Sequence, residues 1–501
     1  MTAQAAASTS ESEAGRVGVT LLGLVVQVTG PAYHALLARA LGVGNYGLFT
    51  WSWSVIDGLS LFVLFGMELA VRQYVGHALA IGKPEEVHTT VGSALRVVVL
   101  AAVAFACAMF FAAPYIGIWQ HKPALVPVLR TLALLPLFVQ PATVLLCASQ
   151  SAHVMKHALY ARSLVQPILL FSLLGLAAYF RPGPVSAAAA IVVASIGTLT
   201  ASAVLYDRFF GLRRTLAAAT RGSLDGRLYR FAKHLVIGGA FWMILGRMDL
   251  VVFGQYVSPT TLGVFAGCLL FASSVSQMKS AFDAVVASII PGALAHRDFT
   301  ALRASMRRQA RWTAIVCVPL VVLFGGFSDV VLLVLGNDFA AGARALRILL
   351  VAQLVNALCV TGLIIPMSGR TIASGATALT CALLELVLLR ALIPRYGLEG
   401  AAVASAAGVV TAQLALTVQA FVHTRVHPFS IPLIRIVAAG ALATVAGRFV
   451  LGAMSGPLFV RFAVAVVASG AVYLSTLAAM GIEPEERALL ARGLELARRR
   501  S

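Results

Sequence analysis

The chain is a succession of roughly fourteen apolar segments, each about 20 residues long, joined by short polar connections. Inside a bilayer no water reaches the backbone. Each crossing must therefore bond its own amides as a helix or close into a barrel. The apolar runs show no sustained two-residue alternation, which argues against a barrel. The expected crossings are 17–40, 48–70, 90–113, 125–148, 160–180, 186–205, 232–255, 261–292, 312–334, 344–366, 371–393, 398–421, 430–452 and 458–481. Most connections are shorter than about 12 residues, which leaves no room for a soluble catalytic module. Composition agrees: 60% of the 501 residues are hydrophobic and 11% are charged, where a soluble domain has about 45–50% and 25%.

The net charge of +19 would suggest nucleic acid in a soluble protein. Here the cations lie between apolar runs, so they report topology, and no nucleic-acid partner is expected. With an even number of crossings the termini share a side. The connections on that side hold Arg72, Lys83, Lys156, Arg162, Arg208, Arg213, Arg214, Arg221, Arg297, Arg303, Arg307, Arg308 and Arg425. The opposite connections hold few cations, such as Lys122, Arg181 and Arg395. Both termini are therefore expected in the cytoplasm. Residues 1–16 are polar without a basic start, and read as a disordered tail and not as a cleaved signal. Residues 482–501 read as a basic amphipathic tail for the anionic leaflet. The six cysteines all lie in apolar segments with no CxxC spacing, and read as buried thiols, with neither disulfide nor metal expected.

Two stretches repeat. Gly47-Leu48-Phe49 aligns with Gly263-Val264-Phe265 at an offset of 216 residues, and LRTLALLPL from Leu129 aligns with LRILLVAQL from Leu346 at an offset of 217. Two matches at nearly one offset indicate an internal duplication. An even number of crossings separates the copies, so both run in the same direction about an axis along the membrane normal. The expected organisation is a six-helix bundle over 17–205, a basic linker over 206–231, a second bundle over 232–421 and two extra helices over 430–481. Pro31, Pro136, Pro141, Pro167, Pro319 and Pro366 interrupt crossings; they are kinks for packing or hinges for alternating access.

Several motifs in fixed order carry a resemblance. They are Leu41-Gly42-x-Gly44-x-Tyr46-Gly47, Gly66-Met67 running to Arg72, Arg247-x-Asp249 running to Gly263-x-Phe265, Leu335-Gly336-Asn337-Asp338-Phe339 and Tyr396-Gly397-Leu398-Glu399-Gly400. With these the chain resembles the Wzx-type oligosaccharide flippases, polysaccharide exporters of the MOP superfamily that also contains the MATE transporters. Phe265 departs from a tyrosine common in that family. The resemblance implies a V-shaped pair of six-helix bundles around a central cavity. It also implies a bacterial inner-membrane transporter that moves an undecaprenyl-diphosphate-linked oligosaccharide between leaflets, with membrane lipids and a glycan polymerase as partners. Lipid II flippases share the layout but carry more charge in their first two crossings. A cation-coupled multidrug exporter is the alternative on the same fold. A membrane glycan polymerase or ligase is the alternative of another class, and the short external connections count against it.

A diphosphate calls for arginine or lysine in the cavity. The candidates are Arg96, Arg130, Arg247, Lys279 and Arg347, with snorkelling to the interface as the plain reading of those near segment ends. Asp57, Glu68, Asp249, Asp283 and Glu385 are the acids that could carry H+ or Na+ for coupling. Arg247 and Asp249, at i and i+2, cannot face each other on a helix, so an interhelical partner is expected; Lys279 and Asp283, at i and i+4, can pair. Tyr33, Trp51, Trp53 and Trp242 are candidates for stacking on sugars or for the interfacial belt. No HExxH and no Walker A sequence occurs, and no cofactor and no metal site is expected.

Overall fold

The computed structural model describes residues 13–83, 85–152, 154–180, 183–221, 226, 228, 230, 246–296 and 298–479. The regular elements among them are all helices. In order they are α1 (Glu13–Leu64), α2 (Met67–Ala80), α3 (Glu85–Trp119), α4 (Leu125–Leu132), α5 (Pro136–Ser151), α6 (Gln166–Phe180), α7 (Pro184–Phe210) and α8 (Leu212–Arg221). Then follow α9 (246–256), α10 (Pro259–Ala295), α11 (Phe299–Gly326), α12 (Ala343–Leu358), α13 (Thr371–Thr424), α14 (Ile431–Ala453) and α15 (Leu458–Ala479).

Eleven helical stretches among the described residues are long and apolar enough to cross a membrane. Two of them each hold a pair of crossings. Helix α1 leaves helical geometry at Gly42, with φ 72°, and α13 leaves it at Gly397, with φ 54°. Both glycines stand in turns expected from sequence, where a side chain would be strained in the left-handed region. The architecture is thus the expected all-α polytopic one. The expected crossing 232–255 is described only from residue 246, and the basic tail 482–501 lies outside the described residues.

Some crossings are less regular than their apolar runs suggest. The expected crossing 125–148 is two helices, because Pro136 has no N–H to bond Leu132. The chain bridges the gap with tighter turns, Leu134 N–H to Thr131 O at 3.3 Å and Leu135 N–H to Leu132 O at 2.9 Å. Pro167 follows a π-helical turn, Leu159–Val165. The expected crossing 344–366 ends its α-helix at Leu358 and continues as a 3-10 turn, Val360–Leu363, before Pro366. Pro319 lies inside α11. Within the expected linker 206–231, α8 is seated on α3: His88 Nδ1 lies 2.9 Å from Thr215 Oγ1, and Tyr206 Oη lies 3.0 Å from the same hydroxyl.

The chain forms two compact units. Unit 1 comprises Met1–Leu270, Leu335–Phe339 and Thr371–Gly408, and unit 2 comprises Phe271–Val334, Ala340–Arg370 and Val409–Ser501. In unit 1 the apolar core joins Met67, Val71 and Val75 of α2, one helical turn apart, to Val87, Val91 and Ala94 of α3 and Val144 and Leu145 of α5. In unit 2 it joins Leu302, Met306 and Ala310 of α11 to Ile436, Ala439 and Ala443 of α14. Five cysteines are buried as expected; Cys107 is exposed on α3, a correction that follows from its place on the outward face of that helix.

The two glycines aligned by the repeat meet inside unit 1. A β-carbon on Gly47 would lie 2.5 Å from Gly263 N and 2.4 Å from Pro259 O; one on Gly263 would lie 1.9 Å from Val43 O. Backbone thus touches backbone, the close approach that small residues allow between membrane helices. Trp51 and Lys122 secure the same region. The Trp51 indole donates to Val251 O at 3.2 Å, and the Lys122 ammonium donates to Gly254 O. Burial holds the Lys122 amine below its usual range. Gly263→Ala is expected to destabilise the protein by about 1–3 kcal/mol, because the obstacle is backbone and cannot rotate away. Gly76→Ala, with nothing within 4 Å of the added carbon, is expected to be neutral or stabilising by up to about 1 kcal/mol. Thermal midpoints of the two purified variants in one detergent test the contrast.

Candidate functional site

The polar interior of unit 1 is built by α1, α9 and α13. Arg247 of α9 forms an ion pair with Asp57 of α1, and both side chains are close to half exposed. This is the interhelical partner that the i, i+2 spacing required. Asp249 points differently, and its Oδ1 accepts the Leu250 N–H at 2.7 Å. Glu385 of α13 is 2% exposed, and its Oε2 has no hydrogen-bond partner among the described residues. Gly408 makes room for it, since a β-carbon there would lie 2.6 Å from that oxygen. The charges of Asp249 and Glu385 repel each other, and Ser405 stands beside both. The sequence-predicted acids Asp57, Asp249 and Glu385 thus belong to the same unit as the predicted cation Arg247.

An aromatic set lies in the same unit. The Tyr33 and His34 rings are 5.6 Å apart, His34 and Tyr46 are 6.3 Å apart, and Tyr46 and Phe339 are 5.8 Å apart. The Tyr33 hydroxyl and His34 Nδ1 are buried without a bonded partner among the described residues. Arg247 is within electrostatic reach of His34. His34 is a polar residue within the expected crossing 17–40, a signal the sequence carries. Its proximity to Arg247 leaves no such signal.

The polar interior of unit 2 is built on one face of α10, where Ser276, Lys279 and Asp283 recur at i, i+3 and i+7. Lys279 Nζ donates to Asp283 Oδ2 at 2.7 Å, and the side chains are 11% and 22% exposed. Asp283 Oδ1 is buried with no partner among the described residues. Ser276 donates to Gln353 Oε1, and Asn356 Nδ2 donates to both, at 3.1 Å to Ser276 Oγ and 3.0 Å to Gln353 Oε1.

The other predicted residues serve helix ends and helix contacts. Arg130 Nε donates to Phe110 O at 3.3 Å, and its guanidinium lies 4.4 Å from the Phe110 ring centre. Its repeat equivalent Arg347 donates from Nε to Ser328 Oγ at 2.8 Å. Arg130 thus reaches back to α3, and Arg347 reaches back to the turn after α11. Arg96 is exposed on α3. Glu68 pairs with Arg72 one turn on at 2.6 Å, on a partly exposed face. Trp51 is 1% exposed and bonded to backbone, which removes it as a sugar platform; Trp53 stacks on Phe49 at 6.3 Å between ring centres. Trp242 lies outside the described residues. Sequence reading missed the fork of Arg448 on Asp329, at 2.9 and 2.8 Å, although the charge of Arg448 inside an apolar run was a readable signal.

Solved structures share this fold. A multidrug resistance MATE family transporter of the MOP superfamily, inward-facing, superimposes with a TM-score of 0.66 at 14% identity, over 80% of this chain and 94% of its own. The lipid II flippase MurJ, inward closed, gives 0.67 at 13% identity, over 92% of this chain and 98% of its own. A MOP superfamily transporter from Pyrococcus furiosus gives 0.60 at 13% identity, over 81% and 93%. The chain therefore shares its fold with transporters of the MOP superfamily. A sequence search against curated proteins finds no match. The profile of the polysaccharide biosynthesis protein family matches residues 17–294. That is more than half of the chain, and the chain belongs to the polysaccharide biosynthesis protein family.

The Lys279–Asp283 pair separates structure from function by mutation. Lys279→Met leaves a buried carboxylate without its cation and is expected to cost about 3–5 kcal/mol of stability, whereas Lys279→Met with Asp283→Leu removes both charges and is expected to be near neutral. Unfolding in detergent of the single and double variants measures this.

Proposed function

We propose that the chain flips an undecaprenyl-diphosphate-linked oligosaccharide across the bacterial inner membrane by alternating access, with both termini in the cytoplasm. The observation that carries the reading is Arg247, a half-exposed guanidinium within an apolar segment whose counter-ion is the equally exposed Asp57. Guanidinium binds phosphate oxygens in pairs. A diphosphate can compete for Arg247 where a neutral or cationic drug cannot. Membership of a polysaccharide biosynthesis family supports a glycan-bearing substrate. That a lipid II flippase has this fold supports a lipid-linked one.

In this reading Asp57 and the diphosphate share one cation. The diphosphate displaces Asp57 from Arg247, and Asp57 takes Arg247 back when the substrate leaves, so the pair exchanges partners during the cycle. Asp249 and the buried Glu385 supply a position for H+ or Na+. This same acid pair favours the second reading, a cation-coupled multidrug exporter, in which the acids would meet a cationic substrate.

In a flippase-deficient strain, Arg247→Ala is expected to abolish surface glycan at unchanged membrane levels, with Arg247→Lys retaining part of the export. Full complementation by Arg247→Ala would sink the diphosphate role. Cation-driven drug efflux from proteoliposomes, lost in Glu385→Gln, would select the second reading.

A further inference from the structure

At one end of unit 2, α11 and the turn before α13 converge on the segment that ends and follows α13. Arg303 of α11 donates from Nη2 to Arg425 O at 2.9 Å. Arg307, one turn on, lies 3.2 Å from His427 Nε2. Arg370, just before α13, lies 2.6 Å from His423 Nε2. Arg425 ends α13 in the left-handed region, with φ 57°, a conformation uncommon for any residue but glycine or asparagine, and its guanidinium lies 5.6 Å from the Phe421 ring centre. Among the described residues none of these four arginines is bonded to a carboxylate. Asp298, nearby in sequence, is engaged by the Ala301 N–H at 2.9 Å.

Four guanidinium groups held by a carbonyl, two imidazoles and a ring form a concentration of positive charge that no carboxylate among the described residues pairs with. The residues beside it are apolar and exposed: Phe421, Val422, Phe429, Ile431 and Ile434. In a membrane-spanning protein such a surface faces acyl chains, and cations at its edge meet head groups. A soluble phosphate would use the cations alone. A phospholipid uses both surfaces at once.

We propose that this cluster of Arg303, Arg307, Arg370 and Arg425 is a binding site for the phosphate head group of an anionic membrane phospholipid, distinct from the polar interiors of the two units. Its strained end at Arg425 is held in place by Arg303, so the lipid bridges α11 and the α13–α14 connection. The site is not needed for the flippase reading and stands or falls separately.

The test uses the full-length protein, purified and delipidated in detergent, titrated with phosphatidylglycerol, with phosphatidylcholine and with inorganic phosphate. Thermal midpoint and native mass spectrometry report binding. Phosphatidylglycerol is expected to bind and stabilise, and the other two are not. The triple variant Arg303→Gln, Arg307→Gln, Arg370→Gln is expected to weaken phosphatidylglycerol binding roughly a hundredfold, at about fivefold per cation. The corresponding lysine triple should keep most of the affinity. Should the glutamine triple not fold, Arg370→Gln alone, an exposed position, is expected to weaken binding about fivefold. Equal affinity in wild type and glutamine variants overturns the site. Equal effects of phosphatidylcholine overturn its charge selectivity, and equal effects of inorganic phosphate show an anion site that takes no lipid.

Discussion

A charge inside an apolar bundle has to be answered by another group of the same bundle, because lipid offers nothing in return. Pairs within one helix, such as Lys279–Asp283, satisfy this locally and leave the fold undetermined. Pairs between helices do more. Arg247–Asp57 brings together α9 and α1, which are 190 residues apart in sequence, and Arg448–Asp329 ties the first of the two extra helices to the turn after α11. A mispaired arrangement would leave these groups charged and alone in a low-dielectric interior. The charges therefore narrow the choice among arrangements that apolar packing would accept about equally well.

The two units use charge differently. Unit 1 has an accessible ion pair and, apart from it, two acids with one unbonded oxygen. Unit 2 has a nearly closed ion pair and an amide network around Ser276. An accessible pair can exchange partners, and a closed one resists exchange. That contrast, more than the number of cations, separates Arg247 from the remaining candidates. Arg130 and Arg347 have fixed structural partners, the Phe110 carbonyl and ring for one and the Ser328 hydroxyl for the other.

Much of the fold was legible because its cause is local. A run of apolar residues must become a helix in lipid, Pro136 must interrupt hydrogen bonding, and Gly42 and Gly397 mark turns that only glycine enters freely. Gly47 and Gly263, which align in the sequence, lie against each other in the structure. What the letters could not express is partnership at a distance. Asp57 does not announce Arg247, and Trp51 looked like a sugar platform until its indole was found on Val251 O. Cys107 lay in an apolar run like the other cysteines, but which way a residue faces in a helix of nearly uniform hydrophobicity leaves no mark in the pattern. The side-chain roles were therefore less readable than the crossings.

The contact of Gly47 with Gly263 has a meaning beyond packing. A residue that touches its own repeat equivalent is the signature of a self-complementary surface. The obstacle to a side chain at either glycine is backbone beside its aligned counterpart, so no change of side chain at one position can make room at the other.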